Sequence, residues 1–173
     1  MVCKNFPFLK AFFLLPLFFV SAVFAQTNAI EESILNDKTS FYYTDFKNYP
    51  ALNAGMPIGM FDSGTGGLTV LDAVVNFDAY NNKSGRKKSD GIADFSREDF
   101  IYLADQANMP YGNYAAVGKT DLLKEHIIKD AQFLLGSKYY HDNQIYKDKK
   151  PIKILVIACN TATAYGKTDI ENF

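Results

Sequence analysis

Three short apolar runs, each ending on a polar or small residue and followed by a turn-forming stretch, constrain this chain more than any other feature. The third run is the plainest. Ile152 to Ala158 (IKILVIA) stops at Cys159. Near-continuous aliphatic and β-branched residues mark a strand covered on both faces, as in a parallel sheet. Ile58-Gly59-Met60-Phe61 ends at Asp62, and Phe100-Ile101-Tyr102-Leu103-Ala104 ends at Asp105. Helical patterns separate the runs. Leu68, Leu71, Val74 and Val75 follow the first at helix spacing. Leu122, Leu123, Ile127, Phe133 and Leu134 share a broad face after the second. Strand, helix, strand, helix, strand predicts an α/β fold, a parallel sheet flanked by helices with right-handed crossovers.

In such a sheet ligands sit outside the carboxyl ends of the strands. The residues that follow the three runs are therefore the candidate site. They are Asp62-Ser63-Gly64-Thr65-Gly66-Gly67, then Asp105-Gln106-Ala107-Asn108-Met109-Pro110-Tyr111-Gly112-Asn113, then Cys159-Asn160-Thr161-Ala162-Thr163. The glycines of the first loop suit a tight turn and close backbone approach before a helix N-terminus, where free N–H groups attract an anion. The pattern is not a nucleotide-binding fingerprint. A phosphate, a carboxylate and a plain turn all remain open for this loop. Cys159 follows a buried strand and precedes a helix start, where the helix dipole favours a thiolate. The other reading of a lone cysteine is a small buried apolar residue.

Other chemistries find less support. The chain carries 18 basic and 19 acidic residues, with no basic excess for nucleic acid. The basic clusters near Lys83–Lys88 and Lys147–Lys150 read as solvated loops, because acids are interspersed. His126 and His141 are the only histidines and have no partner at ligand spacing, so no metal site is expected. Ser63 does not sit in a Gly-x-Ser-x-Gly elbow. The N-terminus has its own logic. Lys4 and Lys10 precede AFFLLPLFFVSAVF, with Ala25 at a cleavage position. This pattern is a secretory signal peptide over residues 1–25, too short and too interrupted by Pro16 to span a bilayer. An uncleaved anchor is the other reading. Cleavage would remove Cys3, leaving Cys159 alone and 16 basic against 19 acidic residues. Residues 26–53 read as a polar N-terminal extension or linker with scattered aromatics, and 54–173 as the α/β domain.

Taken together, the segments Ile58–Val70, Pro110–Asn113 and Ala158–Thr163 resemble glutamate racemase. The resemblance covers about Pro57 to Thr163, with the two polar stretches as insertions. It implies a flavodoxin-like racemase domain, one of two with the active site between them, and interconversion of L- and D-glutamate without metal or cofactor. Two cysteines act from opposite faces, one thiolate removing the Cα proton and one thiol returning a proton. The product serves bacterial peptidoglycan. Cys159 matches the first cysteine. Asp62 and Ser63 match the residues that assist it and hold the substrate amino group. Pro110, Tyr111, Gly112 and Asn113 match a substrate-contacting loop, and Asn160, Thr161 and Thr163 match binders beside the cysteine. Proteins of this type commonly form homodimers.

The chain departs from that pattern in two respects. No second cysteine follows Cys159, and no Cys-Thr-His segment is present. The domain is therefore expected to be incomplete, a truncated first half that does not racemise glutamate alone. The leader implies export, to the periplasm, whereas the family is normally cytoplasmic. Two further readings stay open: a single-cysteine decarboxylase or isomerase relative, and a secreted amino-acid-binding module.

Overall fold

The computed structural model describes residues 29–172. The signal peptide read over residues 1–25 lies outside the described residues. Helix α1 (Ala29–Leu35) opens the described chain, and a 3-10 turn follows at Phe46–Asn48. Strand β1 (Ile58–Asp62), helix α2 (Gly67–Val75) and strand β2 (Phe100–Ala104) come next. A 3-10 turn at Gln106–Asn108 leads into the short helix α3 (Gly112–Ala116) and the long helix α4 (Thr120–Leu135). Strands β3 (Tyr139–His141) and β4 (Gln144–Tyr146) precede β5 (Ile154–Ile157), and α5 (Asn160–Glu171) closes the order.

The three apolar runs form one parallel sheet in the order β2-β1-β5. Ile58 stands opposite both Phe100 and Ile154, and Phe61 opposite Leu103 and Ile157. Being central, β1 is buried along its whole length, while β2 is half-buried throughout. The chain passes from β1 to β2 on one side, then returns to place β5 on the other. The strand order therefore reverses beside β1, the kind of place where open α/β sheets form a ligand crevice.

Helix α4 is the hub of the packing. Leu123, Ile127 and Leu134 are fully buried with Phe61, Ile152, Cys159 and Ala162 in the main core. Leu122, one residue off that face, is exposed. Ile128, on another face, packs with Ile30 and Ile34 of α1 in a second cluster, flanked by Tyr42 and Phe46. The segment after α1 is tied down as well. Gln132 donates to the Thr44 hydroxyl, and the Tyr49 hydroxyl donates to the Ile152 carbonyl.

Two regions differ from a plain loop reading. Between residues 136 and 150 the chain forms an antiparallel hairpin of β3 and β4. Its two-residue turn, Asp142-Asn143, has positive φ at both positions, as a type I′ hairpin turn requires. Tyr139 and Tyr146 stack across it at 5.2 Å. The stretch between α2 and β2 is organised by two aspartates. Asp78 accepts from Ser89 Oγ and the Asp90 and Gly91 N–H groups, and Asp94 accepts from the Ala79 and Tyr80 N–H groups. Helix α2 forms where the spacing predicts it, but Leu68 and Val70 stay exposed. No helix among the described residues is long and apolar enough to cross a membrane.

Candidate functional site

All three strands point the same way, so the residues after β1, β2 and β5 share one edge of the sheet. At the reversal point between β1 and β5, Ser63 Oγ lies 3.3 Å from Cys159 Sγ. Cys159 is the N-cap of α5, and its sulfur takes the place of the usual capping oxygen, accepting from the Ala162 N–H at 3.4 Å. The residue is buried, 6% exposed. The loop after β1 thus delivers a hydroxyl to the thiol that ends β5.

Asp62 is buried at the end of β1, and its Oδ2 accepts from the Gly67 N–H at 2.7 Å, closing the glycine loop onto the start of α2. The fit there is tight. A Cβ on Gly67 would lie 2.8 Å from Asp62 Cβ, 2.9 Å from Ala158 Cβ and 3.0 Å from the Tyr102 hydroxyl oxygen. Tyr102, which the sequence reading did not single out, donates from β2 to the Gly64 carbonyl at 3.3 Å. Burial raises its phenol above the ordinary value, and the Asp62 charge adds to that. No signal in the sequence marks Tyr102, since its role depends on the pairing of β1 with β2.

The loop after β2 reaches the same edge. Met109 lies against Gly64, where an added Cβ would meet its sulfur at 2.9 Å. The Met109–Pro110 bond is cis. Pro110, Gly112 and Asn113 are exposed, and the Asn113 N–H donates to the Pro110 carbonyl at the start of α3. Tyr111 goes elsewhere. It is fully buried, and its hydroxyl oxygen lies 2.6 Å from Asp105 Oδ2 and 2.7 Å from Asp130 Oδ2 on α4. Burial, then its bond to Asp105, pushes its phenol far above the ordinary range. On α5, Asn160 is exposed and Thr161 half-buried. Thr163 turns its hydroxyl back to the Cys159 carbonyl at 2.9 Å and borders a groove along β5 with Leu155, Ile157 and Ile170.

Of the residues singled out from sequence, Asp62, Ser63 and Cys159 thus gather at the reversal point. Pro110, Gly112, Asn113 and Asn160 present exposed groups at the same sheet edge. Tyr111 and Thr163 have their hydroxyls engaged within the protein. His126 stacks edge-on against Tyr114 at 5.6 Å.

Fold and site together define an open α/β domain with a thiol at the reversal point of a parallel sheet, held beside a glycine-rich turn that Asp62 closes. Over about two thirds of its length the chain is homologous, at moderate identity, to the glutamate racemases. It is 35% identical over 117 residues to the glutamate racemase of Clostridium novyi, covering 68% of this chain and 32% of that protein. Against glutamate racemase 2 of Bacillus subtilis the identity is 36% over 116 residues, 67% of this chain and 31% of the relative. The Aquifex pyrophilus glutamate racemase is 36% identical over 111 residues, 64% of this chain and 30% of the relative. The matched part thus spans about a third of the length of these curated relatives. No protein-family model and no solved structure matches the chain.

Proposed function

We propose that the protein supplies one half of a racemase site, with Cys159 as the base on one face of the α-carbon of glutamate. The observation that carries this reading is the Ser63–Cys159 contact of 3.3 Å at the reversal point of the sheet. The homology to glutamate racemases supports the choice of reaction and substrate. The chemistry needs such a place. A Cα–H is a far weaker acid than a thiol of pKa about 8.5, so the base must be close and partly desolvated. Charge that develops on the substrate must meet donors already in position. The start of α5, with Asn160 and Thr161, is suited to the carboxylate and the developing charge. Asp62 and Ser63 are suited to the substrate amino group and the thiol.

In this reading the Cys159 thiolate takes the Cα proton and becomes a thiol, while the electron pair stays on the substrate and delocalises into its carboxylate. A second acid on the opposite face then returns a proton to give the other enantiomer. Cys159 is the single cysteine among the described residues, and one thiol serves one face. The second proton donor therefore comes from outside residues 29–172, and this portion alone does not racemise. No metal or cofactor takes part. The leader read over residues 1–25 supports an exported, periplasmic protein that handles the D-glutamate of peptidoglycan, and a homodimer is the proposed assembly.

The test is deuterium uptake at Cα of L-glutamate, followed by NMR with chiral analysis, in the complete reading frame without Met1–Ala25. Uptake with appearance of D-glutamate, lost in Cys159→Ala, is the expected result. A folded protein that binds glutamate without Cα exchange, or exchange indifferent to Cys159, overturns the reading.

A further inference from the structure

Tyr111 lies between two carboxyl groups, 2.6 Å from Asp105 Oδ2 and 2.7 Å from Asp130 Oδ2. A phenol owns one proton. It can donate to one of these oxygens. The other short oxygen–oxygen contact then needs a proton of its own, which only the second carboxyl can provide. Asp105 is already served, because Asn108 Nδ2 reaches its two oxygens at 2.9 and 3.0 Å. Among the hydrogen bonds of the described residues, Asp130 meets no donor besides Tyr111. The consistent arrangement is a chain in which Asp130 Oδ2–H donates to Tyr111, and Tyr111 donates to Asp105.

Among the described residues, no cation forms an ion pair with Asp130. On α4 itself Lys129 pairs with Glu125, and Lys124 pairs with Asp169 of α5. His126, one turn before Asp130, stacks on Tyr114. On α5, Lys167 pairs with Glu171. The described part of α1 carries only the acids Glu31 and Glu32, and Tyr42 beyond it faces Lys129. From β1 the one ionisable group is Asp62, bound to Gly67, and β5 has none. The β2 and α3 side contributes Tyr102, Asp105, Tyr111 and Tyr114, the last donating to the Asn108 carbonyl. Burial raises the Asp130 carboxyl to about 7; the Tyr111 bond opposes this and the Asp105 charge adds to it.

We propose that Asp130 is a positioning residue that holds a proton and, through Tyr111, clamps the loop from Asp105 to Asn113 against α4, so that the loop is held below neutral pH and loosened above it. The clamp is a property of the fold. Its effect on a bound amino acid rests on the racemase reading.

The sign follows from linkage. The native carboxyl binds its proton more tightly than the unfolded one, of pKa about 3.9. Stability from this group is fully present below about pH 4 and is lost as pH rises towards about 7, then levels. Amide hydrogen exchange of Asn108 to Tyr114 in the full chain, corrected for intrinsic rates, should quicken about tenfold or more between pH 5 and pH 8. Asp130→Asn, which can still donate to the Tyr111 oxygen, should hold these amides at one level across that range. A merely structural residue would shift the level and leave the pH slope unchanged, so identical slopes in the two proteins overturn the proposal. Carbonyl-13C titration of the unmodified chain needs no variant to fold. One aspartate carboxyl titrating near neutrality is expected, and all of them titrating below about pH 5 overturns it. Neither readout measures turnover, so failure of the racemase reading leaves this test standing.

Discussion

At the scale of single residues, two positions make opposite demands on their surroundings. Gly67 leaves no room for a side chain, with backbone-fixed Cβ atoms of Asp62 and Ala158 inside 3.0 Å of a would-be methyl group. Gly67→Ala should therefore destabilise the fold by roughly 1–3 kcal/mol, read from urea unfolding, since overpacking at this point has nowhere to relax. Lys149 is instead short of water. Its ammonium donates to the Leu134 carbonyl at the end of α4 and lies over the Phe133 ring. Burial lowers it to about 8. The unfolded chain binds this proton more tightly, with a pKa of about 10.4, so stability should rise as pH increases from about 8 to about 10. Lys149→Met should remove that rise, measured as the pH dependence of the urea midpoint.

At the scale of elements, the crossing of α4 and α5 depends on a contact that no periodicity reveals. A Cβ on Gly166 would lie 2.3 Å from Ile127 Cγ2, so the two helices meet glycine against isoleucine. Gly166→Ala should cost stability even though alanine is the better helix former, and Ile127→Val should recover part of the loss. A double-mutant cycle by denaturant titration checks this, with a coupling of about 0.5–3 kcal/mol expected. The buried face of α4 was legible from Leu123, Ile127 and Leu134, because one helix writes its own period. Gly166 was not, because its meaning lies on the partner helix. The β3–β4 hairpin escaped for a related reason. Asp142-Asn143 adopts positive φ without a glycine to announce it, and the flanking strands are only three residues each. Helix α2 shows the reverse case: its spacing is plain, yet much of its apolar side is open.

At the scale of the whole molecule, the three strands and their polar ends could be read directly, but not the order β2-β1-β5, which alone brings Ser63 to Cys159. The segment before β1 is also more integrated than its polarity suggests. Ile34 is fully buried against Ile128, and Ile34→Ala should cost about 2–4 kcal/mol in thermal or urea unfolding. The strand order has a consequence in time. Ser63 and Cys159 stand 96 residues apart along the chain, and β1 acquires its second neighbour only when β5 arrives. During synthesis β1 can pair with β2 while its other edge waits, and long-range parallel pairing is slow and prone to wrong partners. The thiol is sheltered only by that final docking step. Until β5 pairs with β1, the thiol that ends up buried stays open to oxidation and exchange.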